Sequence, residues 1–149
     1  MDQQPEKMER PFKYIGEPES SIPMVFQVTD LDSLLDELDA WLPIGLVSMD
    51  GLYDEAEDRE QLATFVKDFM GLIELMSEER FFENKPTLSF CKDFATKYSL
   101  YYIRMELVDF FTTVACYNGP LEIDKRSIGE YYLFFITLAE APHWMKYQK

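Results

Sequence analysis

The chain has 149 residues, of which 47% are hydrophobic and 15% aromatic, and a net charge of −14. That length suits one domain, and the apolar content excludes the disordered class despite the charge, because burial offsets the ordering entropy. The charge is also confined: residues 28–83 hold 16 acids against Arg59, Lys67 and Arg80, a balance of −13, while all other residues sum to −1.

Residues 1–28 contain Pro5, Pro11, Pro18 and Pro23 and little periodicity, so they read as an extended N-terminal arm, with 22–28 (IPMVFQV) a short strand or latch. The charged start has no apolar core of the signal-peptide kind, and no run of about 18 apolar residues occurs, so the expectation is a cytoplasmic protein with no membrane association. Thr29 then stands as N-cap to a helix whose stripe is Leu31, Leu34, Leu35, Leu38, Trp41 and Leu42, ended by Pro43. Asp36 and Asp39 fall on the face away from the leucines.

Residues 43–53 read as a connection with a turn at Asp50-Gly51. A second helix is expected from near Asp54 to Arg80, with Leu62, Phe65, Val66, Phe69, Leu72, Ile73 and Met76 as its buried stripe. Glu57, Glu60, Asp68, Glu74 and Glu78 lie off that stripe and should face water. Gly71, in mid-stripe, suggests a close helix crossing.

From Leu88 the apolar spacing runs toward Asn118-Gly119-Pro120. One straight helix of that length, about 45 Å, would be as long as the whole body, so a break is expected near Ser99. Residues 100–117 are apolar on most sides and read as the central buried helix, with a strand pair across 99–117 as the alternative. A last helix opens at Ser127-x-x-Glu130, a capping-box spacing, and ends at Pro142. The expected fold is all-α: a single-domain bundle of four to five helices over 29–149 behind the arm, or α+β if the strand pair forms.

No catalytic motif stands out. His143 is the sole histidine, which excludes a multi-histidine metal site within one chain, and no glycine-rich phosphate loop occurs. No cofactor or metal is expected. Cys91 and Cys116 lack CxxC spacing and read as buried thiols. Arg104, Glu106 and Asp109 are the only charges between Lys97 and Glu122; they form either an internal ion pair or the polar floor of a pocket between helices. The paired aromatics of 101–135 read as core, and Trp41 and Trp144, near prolines, as partly exposed.

Two functions of different class follow. The first is a non-catalytic interaction protein of inhibitor, immunity or adaptor type, whose 30–60 surface (Asp36, Asp39, Asp54, Glu57, Asp58, Glu60) engages a basic protein, with no direct nucleic-acid binding. Homodimerisation through an apolar helix face is a further option. The second rests on Glu57-x-x-Glu60 and Glu106-x-x-Asp109, each placing two carboxylates on one helix face. These eight positions resemble the ExxE and ExxD pairs of helical NTP pyrophosphohydrolases of the MazG type. The resemblance implies magnesium held by the paired carboxylates and a nucleotide or small-molecule substrate.

Overall fold

Proline decides where the first helix begins. The computed structural model describes residues 17–47 and 52–145, and within them Pro18 occupies the first turn of helix α1, Pro18–Val28, where a missing N–H costs nothing. Residues 18–28 are therefore not an extended arm, and 22–28 is not a strand. Pro18, Ser21, Ile22 and Val25 recur at helical spacing and are buried, and α1 packs on the last helix. The Asp50-Gly51 turn lies outside the described residues.

Thr29 closes α1 by donating its N–H to the Val25 carbonyl, and the cap of helix α2, Leu31–Val47, is Asp30, whose Oδ1 accepts the Ser33 N–H at 2.8 Å. Pro43 does not end α2. It sits on the exposed face, so the carbonyl it leaves without a donor is open to water, while Leu34, Leu38, Trp41, Ile44 and Gly45 carry the buried stripe on. A Cβ on Gly45 would stand 2.6 Å from Leu62 Cδ2 and 3.3 Å from Phe110 Cε1, so the close helix crossing is here. At Gly71 the nearest atom is Phe90 Cζ at 3.6 Å, an ordinary contact.

Helix α3, Ala56–Met76, buries all seven residues of the expected stripe. Glu57, Glu60, Glu74 and Glu78 are exposed, but Asp68 is half-buried, accepting from Tyr98 Oη at 2.6 Å and Lys97 Nζ at 2.8 Å. A 3₁₀ turn, Phe81–Glu83, leads to α4, Lys85–Lys97, capped by Asn84 Oδ1 on the Thr87 N–H. The break at Ser99 is present: Tyr98 ends α4, and Ser99 Oγ accepts the Tyr102 N–H to start α5, Leu100–Ala115. With α5 helical throughout, the strand-pair alternative is excluded; its β-branched and aromatic residues serve a stripe of Ile103, Leu107, Phe110 and Val114.

The central helix is α6, Ile128–Trp144, not α5. Every residue from Phe135 to Pro142 is buried, and α6 contacts α1, α3, α4 and α5, whereas α5 leaves Tyr101, Met105 and Val108 exposed. Pro142 falls within its last turn. Ser127 makes no side-chain cap bond, so the capping box does not form. The count is thus six helices among the described residues, all α, with buried residues from each joining one core cluster. Trp41 is fully buried at its middle, with Phe110 at 5.5 Å and Phe135 at 5.3 Å, both edge-on. Trp144 is half-buried.

Candidate functional site

Helix α5 sorts its polar residues by direction. At 100° per residue, Tyr102, Glu106, Asp109 and Thr113 share one strip, and Arg104 projects from the opposite side. Arg104 reaches α6, where Nε lies 2.7 Å and Nη2 3.0 Å from the two oxygens of Glu140, a bidentate pair. Trp144 Nε1 adds a third donor to Glu140 at 3.3 Å. The three charges that stand together in sequence are divided by the helix: Arg104 is engaged between α5 and α6, while Glu106 and Asp109 look toward the start of α3.

What meets Glu106 is a segment the sequence did not signal. Tyr53, just before α3, is buried, and its hydroxyl donates to the Glu106 backbone carbonyl at 3.4 Å. Arg59 Nη1 donates to the Tyr53 carbonyl at 2.9 Å, which ties that segment to the first turn of α3. Tyr102 is held from the other side by ring contacts to Phe65 at 5.8 Å and Tyr98 at 5.5 Å. Between these two tyrosines Glu106 is only 9% exposed, and its Oε2 is buried with no hydrogen-bond partner. Thr113 Oγ1, two turns along the same strip, is likewise buried and unpartnered.

The electrostatics follow from this packing. Burial, then the charge of Asp109, then that of Asp58, push the Glu106 carboxyl up to about 7, and the nearby Tyr53 and Tyr102 hydroxyls pull it only partway back. Burial also raises the Asp109 carboxyl and, together with the Glu106 charge, the phenol of Tyr53. Tyr102 is pushed up to about 12 by burial and then by Glu106. The α3 acid that Glu106 feels is Asp58. Glu57 and Glu60, the ExxE pair, are exposed, and among the described residues no three His, Cys, Asp or Glu side chains converge as metal ligands would.

The acidic surface is open and shares Asp58 with this site. Asp36 and Asp39 on α2, and Asp54, Glu57 and Glu60 at the start of α3, are exposed; Asp58 is half-exposed, and α2 and α3 pack side by side. Among the described residues the ion pairs are Arg80–Glu83, Lys97–Asp68, Arg104–Glu140 and Arg126–Asp124, so none neutralises an acid between 30 and 60.

Two further groups are engaged internally. His143 Nε2 donates to the Tyr98 carbonyl at 2.8 Å, so the sole histidine is engaged within the fold. Cys91 is buried, with burial pushing its thiol up to about 12; Cys116, expected to be buried, is an exposed free thiol, because its place one residue past the end of α5 turns it off the buried stripe. Comparison with protein-family models, curated proteins and solved structures finds no match.

Proposed function

We propose that this is a non-catalytic interaction protein that docks a basic protein on the outward acids of α2 and the start of α3. The observation that supports this reading is an exposed carboxylate set, Asp36, Asp39, Asp54, Glu57 and Glu60 with Asp58 beside it, that no ion pair among the described residues engages. A field of one sign speeds encounter with a basic surface and disfavours phosphate-rich polymers, so the partner is a protein and not a nucleic acid. No helix among the described residues is long and apolar enough to cross a membrane. Two free thiols suit the reducing cytoplasm. The test is partner capture at about 0.05 and 0.5 M salt, where screening shortens the reach of exposed charge severalfold. Loss of the partner at the higher salt is expected; equal capture at both overturns the reading, and self-association without a partner points instead to a homodimer.

One observation favours a second reading, a magnesium-dependent hydrolase of small molecules or nucleotides. The charges of Asp109 on α5 and Asp58 on α3 both raise the Glu106 carboxyl, and α3 and α5 are the two helices that carry the ExxE and ExxD pairs. Thermal shift with magnesium, manganese and nucleotides separates the readings, because a ligand that prefers the folded chain raises its melting temperature.

A further inference from the structure

Asp68 lies off the buried stripe of α3, yet α4 packs beside it and leaves it only half exposed. On α4, Phe90, Asp93, Phe94 and Lys97 stand at i, i+3, i+4 and i+7, which is one helix face. With Asp68 and Tyr98 they line a cavity of about 180 Å³ on the seam between the two helices. Three of these side chains are aromatic. Phe94 and Tyr98 are buried, with ring centroids 5.0 Å apart, whereas Phe90 is 37% exposed, its ring beside Gly71, where a Cβ would stand 3.6 Å from Cζ. The edge of this cavity already holds an ammonium: Lys97 Nζ stands 5.3 Å from the Tyr98 ring centroid and 2.8 Å from Asp68 Oδ2, which also accepts from Tyr98 Oη at 2.6 Å. That cation is loosely held. The Lys97 side chain is 57% exposed, and an ion pair so open to water contributes little to stability, so its ammonium is free to exchange for another.

We infer that the cavity binds the methylated ammonium head of a small quaternary amine of the choline type, which takes the place of the Lys97 ammonium beside Tyr98. The sign of the charge follows from the lining. Asp68 and Asp93 outnumber Lys97, and Asp93, exposed, enters no ion pair among the described residues. The walls of Phe90, Phe94 and Tyr98 select the methylated form. Aromatic faces attract a cation but replace few of the hydrogen bonds that an N–H cation makes with water, and Asp68 Oδ2 already has two donors. A quaternary head has no donors to leave unpaired, and its methyl groups fill apolar space. Size points the same way: about 180 Å³ admits such a head, whereas sites for larger ligands run to roughly 300–1,000 Å³. The inference is independent of the basic-partner reading, since none of these residues belongs to the 30–60 surface.

The experiment maps amide ¹H–¹⁵N shifts of the intact chain during titration with choline, with ethanolamine, its unmethylated counterpart, and with 3,3-dimethylbutan-1-ol, its neutral isostere. Sodium chloride holds the ionic strength constant, so that general attraction of cations to an acidic chain cancels. Choline is expected to shift the amides of Phe90, Asp93, Lys97 and Tyr98, with a Kd about tenfold below those of the other two probes. Phe90→Leu keeps apolar bulk at an exposed position and removes a π face. It should raise the Kd of choline about fivefold and leave that of the alcohol unchanged, a split that loss of packing alone does not produce. Lys97→Met removes the resident ammonium and should lower the choline Kd severalfold. Equal affinity for choline and the alcohol would mean apolar filling, and equal affinity for choline and ethanolamine would mean charge alone; either overturns the inference. So do equal losses of both ligands in Phe90→Leu, weaker choline binding in Lys97→Met, or choline shifts confined to the acids of residues 30–60.

Discussion

Replacing Glu106 by Gln keeps the shape of the side chain and removes its titration, so the difference between the two proteins isolates one group. The carboxyl titrates near 7 in the folded chain against an ordinary value of 4.5. Because the folded value is the higher, the folded state binds more protons between these values, and stability falls as pH rises from about 4.5 to about 7; above that the penalty is complete. The separation corresponds to about 3 kcal/mol, reduced to about 2 kcal/mol because the neighbouring Asp109 is half-exposed and solvent screens part of the charge. Glu106→Gln should therefore match the parent near pH 5 and exceed it at pH 8 by about 2 kcal/mol, or about 4–8 °C in Tm for a chain of this size. Urea or thermal melts of both proteins from pH 5 to 9 measure this. Parallel curves across that range would refute the argument, because they would mean that Glu106 is ionised without cost in the fold.

Three more outcomes are expected. Gly45→Ala should lower stability by about 1–3 kcal/mol, since its Cβ would strike Leu62 and Phe110, whereas Gly71→Ala should raise it by about 0.5–1 kcal/mol; urea midpoints compare the two. Glu140→Ala leaves the Arg104 guanidinium largely enclosed and unpaired, and a loss of about 3 kcal/mol by chemical denaturation is expected, against little change if the pair is merely ornamental. Under native conditions a thiol reagent should modify Cys116 promptly and Cys91 only as fast as the chain opens.

Amphipathic spacing carried the buried stripe of α3, although the helix ends at Met76 and not at Arg80, and it carried the break at Ser99 through the length limit on a single helix. It failed where one residue type was read as punctuation. Pro18 opens a helix, and Pro43 rides the exposed face of another, so neither proline breaks the chain as a local rule suggests. Apolar content also misplaced the centre: α5 and α6 look alike in sequence, but α6 touches four other helices and α5 keeps one face in water, a matter of tertiary arrangement that no local window contains. For the site, the isolation of Glu106 and Asp109 among apolar neighbours was a usable signal. The role of Tyr53 was not, because it arises from a contact spanning 53 residues. Glu140 carried the same signal as Glu106, an acid inside an apolar helix, and its pairing with Arg104 was discoverable on that ground.

The most direct measurement compares partner capture by two variants of identical net charge. One carries Asp36→Asn, Asp39→Asn, Asp54→Asn and Glu57→Gln; the other carries Glu74→Gln, Glu78→Gln, Glu79→Gln and Glu83→Gln, four exposed acids at and beyond the far end of α3. The first is expected to lose the basic partner and its salt dependence, and the second to keep both. Equal loss in the two would mean that overall charge, not the surface of α2 and the start of α3, attracts whatever binds.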